Sequence, residues 1–311
     1  MSEISHVAVL GAGVIGASWS ALFLAAGCDV AVFDPAPDAE QMVRAYIRDA
    51  WPTLLELGLA QAGRSGALSF HATAADAVRD ADFVQESVPE RLAIKHALYA
   101  EIEPALKPGA VVASSASGLK LGEMQAGWGD PGRLILGHPF NPPHLIPLVE
   151  VMGNAQTAPG VIELAERFYA AVGKVTIRVN REVPGHVANR LQAALWREAI
   201  HLVAIGAASV ADVDTAVWAG PGLRWAAMGP TMLFNLGGGP GGLAAFCEKY
   251  ADSFHRWWED LGDPRLDEAT AAALVAGVNE EAASASQAEL AARRDALITA
   301  MLRATAALPR R

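Results

Sequence analysis

The stretch HVAVLGAGVIGASWSALFLAAGCDVAVFD, residues 6–34, decides the fold. HVAVL is a short Val-rich run of the kind buried on both faces of a parallel sheet. Gly11-Ala12-Gly13-Val14-Ile15-Gly16 follows at once, and an apolar helical pattern then runs to about Ala26, closed by Gly27. Asp29–Phe33 is a second strand, ending at Asp34. Strand, glycine turn, helix, strand and acid, in that order, predict a dinucleotide-binding unit. Gly11 permits the tight turn, Gly13 lets the backbone approach a pyrophosphate, and Gly16 lets the helix pack closely on the strand. Val14 and Ile15 open the helix, where free amides and partial positive charge face the phosphates. Asp34 is placed to hydrogen-bond the adenosine ribose. A carboxylate there repels a 2′-phosphate, and FDPAPD (residues 33–38) supplies no arginine to receive one, so the cofactor expected is NAD rather than NADP.

Outward from this unit the strand–helix alternation continues. Strands are expected at Leu68–Phe70, Ala81–Ser87, Ala110–Ser114, Leu134–Phe140, Pro147–Gly153 and Val175–Val179. Between them lie a helix pair over Ala39–Ala62, a brief helix at Thr73–Val78, and helices at Arg91–Leu106 and Ala158–Val172. This is an α/β pattern, a Rossmann-type doubly wound sheet over residues 1–180. From 181 to 311 the pattern is all-helical. Its first helix contains LQAALWREAIHLVAI, which is apolar on several faces and predicts burial in part against a second copy of the chain, hence a homodimer.

The bulk properties narrow the function. The chain has 311 residues, 52% of them hydrophobic, enough for about two domains with sizeable cores. A net charge of −10 disfavours nucleic acid or an anionic membrane surface as partner. Cys28 and Cys247 form no disulfide framework, and no metal-ligand spacing is present. The first residues enter a strand almost at once, and ASWSALFLAAG is too short to span a bilayer, so a cytoplasmic protein is expected.

The candidate reacting groups lie in GHPFNPPHLIPLVE, residues 137–150. If the strands flanking this proline-rich loop pair, Glu150 meets His138. A histidine backed by a carboxylate has a fixed tautomer and a raised proton affinity, as a general base for an alcohol needs. A strand-end histidine satisfied within the fold, with Glu150 on the surface, is the other reading of the same residues. Ser115-Ala116-Ser117-Gly118 ends a strand with small hydroxyl residues suited to a substrate oxygen, or simply to a turn. Glu90 and Lys95, just after the strand that ends at Ser87, are candidates to face the nicotinamide ribose, or else a helix-capping acid and a solvated lysine.

Taken together, VLGAGVIG, ESVPERLAIK, SSASGL, GHPFNPPHLIPLVEV, PGHVANRL and GLRWAAMGP resemble the 3-hydroxyacyl-CoA dehydrogenase family across nearly the whole chain. The resemblance implies that His138 and Glu150 form the catalytic pair and that Ser117 and Asn189 position the substrate oxygen. It implies NAD-linked oxidation of a secondary alcohol β to a carboxyl. HPFNPPHLIPLVE and GLRWAAMGP look more like the gulonate and carnitine dehydrogenase branch than the acyl-CoA enzymes, and the small substrates of that branch carry no coenzyme A. Arg224 is then a candidate clamp for a substrate carboxylate, and Trp225 a candidate to stack on a quaternary ammonium. A 3-hydroxyacyl-CoA dehydrogenase and a non-catalytic NAD-binding protein are the alternatives. Two residues depart from the family pattern: Ala116 stands where Thr is usual, and His186 where Phe is usual. His186 is expected to be a partly buried imidazole rather than part of a pocket wall.

Overall fold

The structure, a computed structural model, describes residues 4–61, 63 and 65–306. Within them the chain divides after Ala188 into two compact units, Ile298–Arg303 counting with the first.

In the first unit β1 (His6–Leu10), α1 (Val14–Ala25) and β2 (Asp29–Phe33) form from the opening stretch. There follow α2 (Ala39–Glu56), β3 (Leu68–Phe70), α3 (Ala74–Val78), β4 (Phe83–Glu86), α4 (Leu92–Ile102) and β5 (Val111–Ser114). The remainder is α5 (Leu121–Gln125), β6 (Leu134–Pro139), β7 (Leu148–Met152), α6 (Val161–Ala171) and β8 (Val175–Arg178). The strands make one sheet of order β3-β2-β1-β4-β5-β6-β7-β8. It is parallel from β3 through β6; β7 then runs antiparallel to β6, and β8 parallel to β7.

Both faces of the sheet are covered, because successive strand residues point to opposite sides. Val7 and Val9 of β1 join a core with Trp19, Phe23, Phe168 and Tyr169, whereas Ala8 and Leu10 join another with Tyr99, Ile102, Leu121 and Met124. The helix pair expected over Ala39–Ala62 is instead one helix, α2, that runs through Pro52. The proline removes one helical hydrogen bond, but Val43, Ala50 and Leu54 remain buried along the helix and hold it together. Ala62, the far end of the expected helix pair, lies outside the described residues.

The second unit contains only helices among the described residues: α7 (Ala188–Ala204), α8 (Val210–Ala219), α9 (Pro221–Ala227), α10 (Pro230–Gly237), α11 (Gly242–Asp260), α12 (Glu268–Ala282) and α13 (Gln287–Ala306), the first and last of which straddle the division. Phe234, Phe246 and Phe254 pack α10 on α11, with ring centroids 4.8 Å apart for the first two and 5.6 Å for Phe234 and Phe254. Gly277 of α12 lies where any side chain would strike Val210 of α8. Of these helices, α9 carries GLRW and has Pro221 at its first position, a residue favoured there.

Candidate active site

β6 and β7 are paired so that His138 stands directly opposite Glu150. The intervening loop therefore does what its prolines suggested: it turns the chain and returns a carboxylate to the imidazole. His138 Nδ1 lies 2.8 Å from Glu150 Oε2, with the carboxylate fully buried and the histidine 7% exposed. A carboxylate only accepts, so Nδ1 carries the proton and Nε2 keeps its lone pair. One expectation is reversed. Burial depresses the proton affinity of His138 by more than Glu150 raises it, so His138 lies below the ordinary imidazole value of 6.5. It is a base held neutral, not one held charged.

The second Glu150 oxygen, Oε1, accepts from the amides of Val187 and Ala188 at 2.9 Å each. The chain reaches this position through two left-handed residues, Gly185 (φ 74°) and His186 (φ 49°). That turn also lays the His186 ring against His138, with centroids 5.3 Å apart. His186 is 4% exposed, more deeply buried than expected, and helps to line a cavity of about 70 Å³ with Ser117, Lys120 and Glu182. Its Nε2 faces the Ala116 carbonyl at 3.3 Å. The two departures from the family pattern thus touch one another.

Ser117 and Glu90 are brought together. Glu90 Oε1 accepts from the Ser117 hydroxyl at 2.7 Å and from its amide, and Oε2 accepts from Gly118 N at 3.0 Å. Burial works against the Glu90 charge, but these donors and the Lys95 cation outweigh it and hold the carboxyl below its usual range. Lys95 is not at an open cleft edge. It is 1% exposed, and its Nζ lies 2.6 and 2.7 Å from the two oxygens of buried Glu86. Tyr99 and Ser114 hydroxyls also donate to Glu86, at 2.8 and 2.7 Å. In this structure its partner is Glu86, because a cation so deeply buried needs an anion beside it.

The glycine turn has the shape a dinucleotide needs. Gly11 has φ 90°, and a Cβ there would lie 2.7 Å from the Ser87 backbone; at Gly16 it would lie 1.8 Å from the Gly11 carbonyl oxygen. At Gly13 a Cβ would meet nothing within 4 Å, so glycine here keeps clear an approach to the helix end. The first turn of α1 carries no acidic residue and no side-chain cap, leaving the amides at Val14 and Ile15 for an anion. Asp34 accepts from Ala12 N at 2.7 Å and Ala36 N at 2.9 Å, which orients its carboxylate at the carboxyl end of β2. These residues fit NAD.

Asn189 is in the first turn of α7 and belongs to the helical unit, as do Arg224 and Trp225 on α9. Sequence reasoning missed the groups that hold the 140–147 loop in place. The Ser18 hydroxyl receives the amide of His144 at 2.8 Å and lies 2.9 Å from its Nδ1. Lys174 Nζ donates to the carbonyls of Pro143 and Ile146, the latter at 2.8 Å, and sits 4.9 Å over the Trp19 ring. A lone lysine before a strand carries no signal of this in one dimension.

Comparison with known proteins gives a consistent result. Residues 6–183 match the NAD binding domain of 3-hydroxyacyl-CoA dehydrogenase, and residues 185–275 its C-terminal domain. The L-carnitine dehydrogenase of Streptomyces griseus subsp. griseus is 51% identical over 99% of this chain and 92% of its own length. That of Streptomyces coelicolor is 50% identical over 98% and 96%, and that of Pseudomonas aeruginosa 43% over 97% and 94%. Among solved structures, the 5-dehydrogenase of 5-formyl-3-hydroxy-2-methylpyridine 4-carboxylic acid, an NAD-dependent dismutase, superposes with a TM-score of 0.82 at 30% identity, covering 98% of this chain and 99% of that one. FadB2 of Mycobacterium tuberculosis does so at 0.65 and 30%, covering 82% and 89%.

Proposed function

The chain belongs to the 3-hydroxyacyl-CoA dehydrogenase family, and from that premise we propose that it oxidises L-carnitine, or a closely similar small 3-hydroxy acid without coenzyme A, to the 3-keto acid with NAD. The His138–Glu150 pair is the observation that carries the dehydrogenase chemistry. The similarity along the whole chain to proteins named L-carnitine dehydrogenase supports the choice of substrate.

In this reading His138 Nε2 takes the hydroxyl proton, and Glu150 stabilises the imidazolium that forms. Two backbone amides on the far oxygen keep Glu150 aimed and charged through that step. Bound NAD accepts the hydride. Ser117 and Asn189 hold the substrate oxygen, an orientation effect that lowers the barrier. The substrate hydroxyl has a single proton, which goes to His138 Nε2, so Ser117 holds that oxygen by turning its own hydroxyl away from Glu90 to donate to it. Gly11, Gly13, Val14, Ile15 and Gly16 take the pyrophosphate, Asp34 the adenosine ribose, and Glu90 the nicotinamide side. Arg224 receives the substrate carboxylate, and Trp225 stacks on its trimethylammonium group.

The helical region from residue 181 onward is, in this proposal, the substrate and dimerisation domain. Among the described residues of its unit, only Ile200, Val210 and Val213 are buried large apolar side chains, while Leu191, Trp196, Trp218, Trp257 and Trp258 are exposed. So many exposed large apolar groups favour a second copy as their cover. Neither Cys28 nor Cys247 forms a disulfide, which favours a reducing compartment such as the cytoplasm. Among the described residues, no helix is long and apolar enough to cross a membrane.

The test is NADH formation with L-carnitine, L-gulonate, 3-hydroxybutyrate and 3-hydroxybutyryl-CoA, each with NAD and NADP. Turnover of L-carnitine with NAD is expected. Turnover of L-gulonate instead moves the substrate within the same branch. Turnover of the thioester alone overturns the free-acid reading, and NADH binding without oxidation of any compound overturns catalysis.

A further inference from the structure

His186 holds the one buried polar side-chain atom without a hydrogen-bond partner next to the catalytic pair, among the described residues. Its Nε2 faces the Ala116 carbonyl, which can only accept, so Nε2 carries a proton. The remaining nitrogen, Nδ1, is buried and makes no hydrogen bond. A buried polar atom of that kind calls for a partner from outside the fold.

The charged and titratable groups around it define that partner. Glu150 is committed to His138 and to two amides, and Glu90 to Ser117 and Gly118. His138, 5.3 Å away between ring centroids, has its proton affinity lowered by burial first and also by His186, so a charge on one ring disfavours charge on the other. Lys120 and Glu182 share the cavity wall with His186 and offer opposite charges. Glu150 and Glu90 are therefore already occupied, and Glu182 is exposed to water with one oxygen taken by Gly122 N, so the anion that meets a protonated His186 is assigned to the ligand. A 3-hydroxy acid carries its carboxylate two bonds from the carbinol carbon, near enough for two adjacent imidazoles to take one group each.

We propose that His186 is a substrate-contacting specificity residue: a proton is taken up as substrate binds, and the His186 Nδ1–H holds one oxygen of the carboxylate assigned above to Arg224, while His138 holds the hydroxyl. This deepens the free-acid reading above and rests on it. It also assigns a role to the imidazole that replaces an apolar ring at this position.

The test measures binding to the NADH complex of 4-trimethylammoniobutanoate, the deoxy analogue of L-carnitine, and of its amide, between about pH 5 and pH 8. In the wild type the acid should weaken as pH rises, by up to about tenfold per pH unit, as uptake of one proton requires. The amide should show no such slope. His186→Phe should bind NADH normally, which reports an intact fold, and bind the acid at least about tenfold more weakly at the low-pH end, with no slope. A slope that survives in His186→Phe belongs to His138 and overturns the assignment. Oxidation of L-carnitine combined with pH-independent binding in the wild type also overturns it but leaves the dehydrogenase reading standing. Oxidation of the CoA thioester alone overturns both.

Discussion

Two opposed effects act on the His138 imidazole: burial removes the water that would solvate its charge, and Glu150 offers an anion at 2.8 Å. Burial is the larger, which suits a group that must begin the reaction with a free lone pair. The acid limb of kcat/KM should accordingly have its midpoint below 6.5. Glu150→Gln removes the influence that raises proton affinity, so the limb should move further down and kcat should fall by about a hundredfold or more. NADH titration should be almost unchanged. A limb above 6.5 in the wild type, or full turnover in the variant, removes the pair from the mechanism.

At the scale of elements, the contact between the glycine turn and α1 is the least forgiving. Gly16→Ala would place a methyl 1.8 Å from the Gly11 carbonyl oxygen, a backbone atom that cannot swing aside. NAD affinity should be lost, as read by fluorescence titration; unchanged affinity would mean the turn is not the phosphate site. The 140–147 loop is tied to the same helix through Ser18 and Trp19, so one element carries both the cofactor turn and the anchors of the reacting strands. Lys174 is the costly member of that tie. Burial pushes its ammonium down to about 7 from 10.5. Below about pH 7 both the folded and unfolded chains hold the proton, and the penalty for burying the charge is complete. Between there and 10.5 only the unfolded chain still holds it, so folding stability gains up to about 1.4 kcal/mol per pH unit. Lys174→Met should lack this gain. Urea unfolding across that window should show the two proteins diverging as pH rises, and parallel profiles would rule the charge out.

For the whole molecule, the contrast between the units is one of burial. The sheet unit encloses two continuous cores, whereas the helical unit leaves Trp196, Trp218, Trp257 and Trp258 each more than half exposed. A dimer is the expected state, with a sedimentation mass twice the chain's 32.5 kDa. A monomer at micromolar concentration would discard that surface as an interface.

Local pattern was enough for the dinucleotide unit, since strand, glycine turn, helix and acid occupy consecutive residues and each acts on its neighbours. It was also enough for His138 facing Glu150, because a loop between two adjacent strands fixes what stands opposite what. It was not enough for Lys95, His186 or Lys174. Lys95 meets Glu86 within reach in sequence, yet its burial depends on α4 covering β4 and β5. His186 meets Ala116 across 70 residues, and Lys174 meets Trp19 from the far end of the same unit's sequence. Residue order determined which chemistry was available. Only the tertiary structure decided which charges lost their water and which polar atom was left without a partner, because desolvation and hydrogen-bond satisfaction are set by what packs around a group and not by what precedes it in the chain.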